Sequence, residues 1–421
     1  MSVRKHSPVW RPFTQHALQP DATMIASASR EWLVTPDGRR IVDAISSWWV
    51  VTHGHRHPRI VAAVREELER LDQVIFAGFT HEPAERLAEA LLLLAPKGLA
   101  HVFYSDSGST AVEVAIKMAL GYFHNRGEKR HRILALEHGY HGDTIGAMSV
   151  GARGVFSDPY APLLYEVERI PFPAPGHEQA TIDAIEKACR AGDVAALIAE
   201  PLILGAGGML TYTPSTLAEM TRTVRAHGGL FIADEVMTGW GRTGTLFACE
   251  QAGISPDLLC TAKGITGGLL PLAATLATAA IFDAHLGDDR RRTFFHSSSY
   301  TANPIACAAA VANCEIWRTE PVLDRVTALA ATQSRHLEAL RGDADFSGIR
   351  QMGTIAALDL AVSDAGYLAD VGPKLYAFFM SRDVLLRPLG NTIYVMPPYC
   401  IEEAGLDRIY AAIHEAADAC L

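Results

Sequence analysis

Six short apolar runs, at residues 102–104, 133–136, 195–199, 230–233, 258–262 and 272–278, set the main constraint on how this chain can fold. Each has the length of a strand and is apolar almost throughout rather than at every second position, the pattern of strands buried on both faces. Segments with helical spacing lie between them, clearest at 111–123 and 216–227. Strands of this kind joined by helices build a mostly parallel sheet covered on both sides, so the expected class is α/β. Ligands of such sheets bind beyond the carboxyl ends of the strands, which makes the residues after each run the ones to examine for function.

The flanking regions read differently. An N-terminal arm leads into a hairpin, with 24–34 alternating loosely, a turn at Asp37-Gly38, and a return strand over 40–45. From about Pro58, helical spacing places Ile60, Val61, Val64, Leu68 and Leu71 on one face. Beyond about Pro321 helices and strands mix again, including 353–360 and 391–396. The division expected is an arm and hairpin at 1–55, a large domain at 56–320 and a small C-terminal domain at 321–421, which the arm joins in space.

Composition narrows the class of partner. With 37 basic against 47 acidic residues the net charge is −10, which argues against a nucleic-acid backbone as ligand. The seven cysteines are scattered without a C-x-x-C pair, as small thiols of a reducing compartment would be. No apolar core marks a signal peptide near the start, and the longest apolar stretch, around 87–95, is too short to span a bilayer. A cytoplasmic protein without membrane partners is expected. His53, His55 and His57 alternate, but they sit among Gly54, Arg56 and Pro58 with no matching cysteine or carboxylate cluster, so no metal site is expected.

Four of the runs end in residues suited to binding or reaction. After 102–104 come Ser105-Asp106-Ser107-Gly108-Ser109-Thr110 and a helix. Small residues at a strand-to-helix turn let backbone N–H groups meet an anion, although an ordinary helix cap has the same composition. After 133–136 comes Glu137-His138-Gly139-Tyr140-His141-Gly142-Asp143, where Tyr140 is placed to stack on a planar ligand or to be buried at the turn. Asp234-Glu235 follows 230–233. A carboxylate at the end of a buried strand requires a positive partner such as a protonated pyridine nitrogen, unless it caps the next segment. The fifth run, 258–262, ends at Lys263. A lysine in a dry site has a lowered pKa, the condition for forming a Schiff base; a surface lysine beside a glycine turn is the alternative. In combination, these four strand ends describe a site for pyridoxal 5′-phosphate.

With these motifs the chain resembles the class III, fold-type I aminotransferases over essentially its whole length. The residues carrying the match are Ser107-Gly108-Ser109, Gly139-Tyr140-His141-Gly142, Asp234-Glu235-Val236-Met237-Thr238-Gly239 with Gly241-Arg242-Thr243-Gly244, Lys263-Gly264, and His296 to Tyr300 followed by Asn303-Pro304. The resemblance implies a large domain with a mostly parallel seven-stranded sheet and a smaller α+β domain. It further implies that Lys263 holds the cofactor as a Schiff base and then moves the substrate proton as general base and acid. Asp234 would keep the pyridine nitrogen protonated, Gly108 and Ser109 would hold the phosphate, and Tyr140 would cover the ring. Ser298 and Ser299 would reach the phosphate of a neighbouring subunit, which implies a homodimer with shared active sites.

Other segments resemble the class III subgroup of biotin synthesis that acts on adenosylmethionine and 8-amino-7-oxononanoate. They are Pro12-Phe13-Thr14, Ser46-Ser47-Trp48-Trp49 with His53-Gly54, Gly205-Ala206-Gly207-Gly208, Arg387-Pro388, and Ile393 to Tyr399. The subgroup implies a substrate site made by Phe13, Trp48, Tyr140, Ser297, Arg387 and Tyr394. Within it Arg387 would pair with the substrate carboxylate and Trp48 would wall the tunnel. Ala206 stands where ornithine- and GABA-type relatives usually carry a glutamate, which argues against those substrates. Ser297-Ser298-Ser299 replaces a common Gly-Pro-Thr and keeps a hydroxyl for phosphate.

Two residues divide the reading of the amino donor. Phe13 stands where adenosylmethionine users usually carry tyrosine, and agrees with relatives that take lysine; Tyr394 agrees with the adenosylmethionine type. The expected reaction converts 8-amino-7-oxononanoate to 7,8-diaminononanoate through a pyridoxamine form, with adenosylmethionine as donor. The alternatives are lysine as donor, or another class III reaction between an ω-amino acid or amine and pyruvate. A racemase or aminomutase would keep the same cofactor residues. A DNA-binding regulator on this fold would need a basic extension that the chain lacks.

Overall fold

The computed structural model describes residues 7–420; the first six residues of the expected arm, and Leu421, lie outside the described residues. Seven strands form the central sheet. Their order across it is Leu99–Ser105, Ala273–Thr278, Leu258–Thr261, Leu230–Asp234, Val194–Ala199, Arg132–Leu136 and Glu168–Ile170. Ala273–Thr278 runs antiparallel to both of its neighbours, and the remaining pairs are parallel. The expected mostly parallel seven-stranded sheet is therefore present, and each of the six apolar runs falls on one of its strands.

Alternation of side chains explains why the runs had to be continuous. Ile133 and Ala135 pack into the apolar layer under helix Gly108–Asn125, while Leu134 and Leu136 of the same strand enter the opposite layer. In Val194–Ala199 all six residues are buried. Each fully buried Leu, Ile or Phe contributes about 1.5–3 kcal/mol relative to exposure, so a polar residue at either face of these strands would be expensive. The seventh strand, Glu168–Ile170, has no such signature because it is an edge strand of only 3 residues, of which Ile170 alone is buried.

Near the N-terminus the structure departs from the single loosely alternating strand expected over 24–34. That segment is two strands, Ser27–Ser29 and Trp32–Val34, folded back through Arg30 in left-handed backbone (φ 55°). Arg40–Asp43 adds to Trp32–Val34, and Val384–Leu385 adds in parallel to Arg40–Asp43, so the two ends of the chain share one sheet. A second small sheet joins Phe346–Met352, Ile355–Leu360 and Thr392–Val395. All seven cysteines are unpaired. Among the described residues no helix is long and apolar enough to cross a membrane, and no group of three His, Cys, Asp or Glu side chains is arranged to hold a metal.

The C-terminal sheet meets the large sheet's loops at Gly353 and Thr354. Both the amide and the hydroxyl of Thr354 donate to the Arg242 carbonyl, at 2.9 and 3.1 Å. Gly353 adopts φ 55°, and a Cβ there would stand 2.2 Å from the Thr243 carbonyl carbon. Gly342 is also left-handed, but its surroundings are open to 4 Å. Gly342→Ala is thus expected to cost only the left-handed penalty of about 1–2 kcal/mol. Gly353→Ala adds overlap with main chain and should lower the thermal unfolding midpoint, followed by circular dichroism, several times as far. Equal shifts would show that the main chain at Thr243 yields freely.

Candidate active site

Five carboxyl-end segments converge on one cavity of about 420 Å³, walled by Gly108, Ser109, Tyr140, Asp234, Val236 and Lys263 among others. The anion side is a helix start. Ser107 caps helix Gly108–Asn125 by accepting from the Thr110 amide at 3.3 Å, and Thr110 Oγ1 accepts from the Ser107 amide at 3.0 Å. This reciprocal cap fixes the first turn and directs its N–H groups at the cavity end. Gly108 has to be small, since a Cβ would lie 2.6 Å from Val236 Cγ1. Gly142 (φ 126°) is equally constrained: a Cβ would come within 2.1 Å of Ser109 Oγ. Ser109 Oγ in turn accepts from the Asp143 amide at 3.1 Å.

Asp234 ends its strand almost fully buried. Its Oδ2 is 2.7 Å from His141 Nδ1, and its Oδ1 accepts from the Val236 amide at 3.1 Å. The His141 Nε2 atom is buried without a partner. Glu200 ends the neighbouring strand in the same way. Its carboxylate accepts from the amides of Tyr140 (3.0 Å) and Gly205 (2.9 Å), and burial pushes its pKa up to about 7, with His141 opposing and Asp234 adding to the rise.

Lys263 sits in left-handed backbone (φ 44°) at the start of a single turn, Lys263–Thr266. Part of the side chain faces the cavity, but the walls desolvate its amine and hold its pKa below that of an ordinary lysine. Asp234 and Glu200 oppose that shift, while Arg242 adds to it. The Nζ atom lies 5.1 Å from the centre of the Trp49 ring, and Trp49 Nε1 donates to Tyr394 Oη at 3.0 Å. Tyr140 Oη donates to Asp143 at 2.9 Å, and burial raises its pKa, so the phenol keeps its proton.

A second cavity, of about 580 Å³, shares Tyr140 and Gly142 with the first. It extends past Ala206 and Phe156 to Tyr367 and Thr392. Phe13 packs edge-on against Phe156 (5.8 Å) and Trp48 (5.6 Å) beside this chamber. Arg387 donates to the Phe13 carbonyl at 3.2 Å, with its guanidinium 5.0 Å from the Trp48 ring centre.

The residues singled out in the sequence therefore fall into groups. Gly108, Ser109, Tyr140, Asp234 and Lys263 share one cavity. Phe13 and Trp48, both exposed, cluster with the half-buried Arg387, and Tyr394 reaches the site through Trp49. Ser298 Oγ donates to Asp106 at 2.5 Å, Ser297 Oγ is 3.3 Å from Thr301 Oγ1, and the Ser299 carbonyl accepts from Gln73 at 2.8 Å, all within one chain. Sequence reasoning missed Glu200, His141 and Trp49. Glu200 had the same signal as Asp234, a carboxylate directly after a buried run. Trp49, not Trp48, lines the lysine cavity, and nothing in the sequence distinguishes them: Ser46, Ser47 and Trp49 all have positive φ, so no periodicity applies.

Pyridoxal phosphate fits these donors. The capped helix start suits its phosphate, the buried carboxylate its ring nitrogen, and the desolvated amine its carbonyl carbon. Fold and site together define a pyridoxal-phosphate-dependent enzyme on an open α/β sheet. Comparison with known proteins narrows this: residues 15–417 match the family model Aminotransferase class-III, and the chain belongs to that family. It is 48% identical to an adenosylmethionine-8-amino-7-oxononanoate aminotransferase of Synechococcus elongatus, over 98% of this chain and 99% of that one. The structure resembles the crystal structure of an enzyme of that name from Methanocaldococcus jannaschii, with a TM-score of 0.94 and 32% identity over 98% of each chain. It also resembles a PLP-bound amine transaminase from an uncultivated Pseudomonas species, with a TM-score of 0.93 and 32% identity over 99% of each chain.

Two outcomes follow from the carboxylates. Glu200 ionises at its ordinary 4.5 when the chain is unfolded and at about 7 when folded. The stability it contributes is complete below pH 4.5 and is lost as pH rises through 7. Urea unfolding of the wild type and Glu200→Gln should therefore shift in favour of the variant between pH 5 and pH 8; a constant difference would contradict the raised pKa. Asp234→Asn keeps the size of the side chain but removes its charge. It should lower kcat for amino transfer by roughly 100-fold or more while leaving the thermal midpoint little changed.

Proposed function

We propose that this aminotransferase forms 7,8-diaminononanoate from 8-amino-7-oxononanoate with adenosylmethionine as amino donor, in the cytoplasm and as a homodimer. The observation that carries the reading is the chamber of about 580 Å³ opening off the cofactor cavity across Tyr140, with Ala206 in its wall and its two carboxylates, Asp143 and Asp359, already paired with Tyr140 and Arg350. Such a wall accepts a long apolar chain without leaving a buried charge unpaired. The near-complete match to the Synechococcus enzyme supports the same substrate pair.

When bound, pyridoxal phosphate supplies an electrophilic carbonyl and a pyridinium ring that accepts electrons. Lys263 would hold it through its amine and, when that amine is free, would carry the proton to and from the substrate carbon. Its desolvation draws the amine toward the neutral form that proton transfer requires. Asp234, oriented by His141, holds the proton of the ring nitrogen. Gly108 and Ser109 receive the phosphate at the helix start, joined by Ser298 and Ser299 of a second copy. Tyr140 covers the ring and separates the two chambers. Arg387 pairs with the substrate carboxylate at the chamber mouth, beside Phe13 and Trp48, with Tyr394 behind Trp49; Ser297, on the turn of Ser298 and Thr301, joins the substrate site from a second copy.

A second reading, lysine as donor, is favoured by Phe13: its ring contacts Trp48 and Phe156 and offers no hydroxyl to a polar donor. Single half-reactions decide between them. The pyridoxal form of the purified enzyme is mixed with adenosylmethionine, lysine or 7,8-diaminononanoate, and the cofactor absorbance is followed. Conversion by diaminononanoate and adenosylmethionine is expected. Conversion by lysine in place of adenosylmethionine changes the donor. No response to diaminononanoate, with bleaching by small ω-amines, would remove the biotin-pathway assignment.

A further inference from the structure

The turn that carries Lys263 is held from behind by two side chains that line neither of the two chambers. Asn313, fully buried on helix Pro304–Thr319, donates both amide N–H groups to consecutive carbonyls of the turn, Gly264 at 3.1 Å and Ile265 at 3.0 Å. With its nitrogen committed to two carbonyls, Asn313 must present Oδ1 to the other side. There it lies 2.9 Å from His53 Nε2, which can only be the donor. His53 is 6% exposed and its Nδ1 has no partner. Burial lowers its pKa to about 3, with Asn313 opposing and His57, Arg325 and Arg242 adding to the fall, so the ring is neutral over the working range. One tautomer is thereby fixed.

The turn needs such support. Lys263 is a non-glycine residue at φ 44°, and the turn ends on Gly267 and Gly268, at φ 65° and 89°. A β-carbon at Gly264 would strike Trp240 at 2.7 Å, and one at Gly267 would strike Ile60 at 2.5 Å, so the turn is pressed between apolar side chains on both sides. Left-handed backbone persists only where its surroundings over-determine it, and here Asn313 supplies polar support from outside the turn, beside the Thr266 hydroxyl within it.

We infer that His53 and Asn313 are positioning residues: their hydrogen-bonded pair sets the backbone of the Lys263 turn and so keeps the lysine amine seated in its dry position. The pair lies outside the donor question and serves any reaction this lysine performs.

The test follows the amine itself. In full-length protein stripped of cofactor, the pH dependence of Lys263 acetylation is read by mass spectrometry, with thermal midpoints, kcat and KM measured on the loaded enzyme. The groups facing the amine, Asp234, Glu200 and Arg242, are left intact. Asn313→Leu and His53→Phe each remove the link, and His53→Gln restores a donor. Loosening the turn admits water to the amine, so in the Leu and Phe variants the acetylation midpoint should rise toward ordinary lysine by about half a pH unit or more. kcat should fall on the order of tenfold with KM for the donor unchanged, as a small misplacement of the reacting group implies. His53→Gln should stay near wild type in both readouts. If the variants lose thermal stability but keep the wild-type midpoint and kcat, the inference is wrong and the pair is merely structural. Should Asn313→Leu fail to fold, the contrast between His53→Phe and His53→Gln decides alone.

Discussion

The burial of Lys263 among apolar strand ends, which draws its amine toward the neutral form, is the condition on which the rest of the candidate site depends. Desolvation alone would leave an unstable charge, so the carboxylates around it are themselves tightly held. Asp234 takes a histidine N–H and a backbone N–H; Glu200 takes two backbone N–H groups. Neither carboxylate can turn away from the cavity. The same dryness that lowers the lysine raises Glu200, so the cavity contains two groups whose pKa values are drawn toward each other from opposite directions. Such pairs mark sites of proton transfer.

Arg242 shows how the two small sheets are coupled to that chemistry. It is almost completely buried, yet its guanidinium meets carbonyls rather than a carboxylate: Trp49, Val51 and Pro397. Its own carbonyl receives Thr354. One side chain thus ties the N-terminal segment, the loop after Asp234 and the C-terminal region together. Its uncompensated charge also pushes the Lys263 amine toward its neutral form.

The fold was legible where burial on both faces left a continuous apolar run, as in Val194–Ala199 and Leu230–Asp234. It was illegible where a strand is short and only one of its residues is buried, as in Glu168–Ile170, or where the chain reverses through a single left-handed residue such as Arg30. Site residues were legible when they directly followed a run. Asp234 and Lys263 do so, and Glu200 obeys the same rule. His141 was hidden because only the tertiary fold brings it 2.7 Å from Asp234. The Asn313 clamp on the lysine turn lies mid-helix, where a buried asparagine looks no different from a helix-interior substitution. Its meaning comes from the two carbonyls it meets.

The reversed strand Ala273–Thr278 gives the lysine a distinct place in assembly. Because it pairs antiparallel with Leu258–Thr261, residues 262–272 close a local loop between adjacent strands and need no helical crossover. Asp234 and Glu200 instead lie on parallel strands, whose connections run across the sheet face. Closing a short loop loses less chain entropy than closing a long one, and local contacts form soonest. The loop that carries the lysine is thus the part of the site that closes over the shortest stretch of chain, although its left-handed turn is set only when Asn313 docks behind it. The carboxylates that tune it are delivered by later, longer-range closure, and until they arrive the lysine has its hairpin without its electrostatic surroundings.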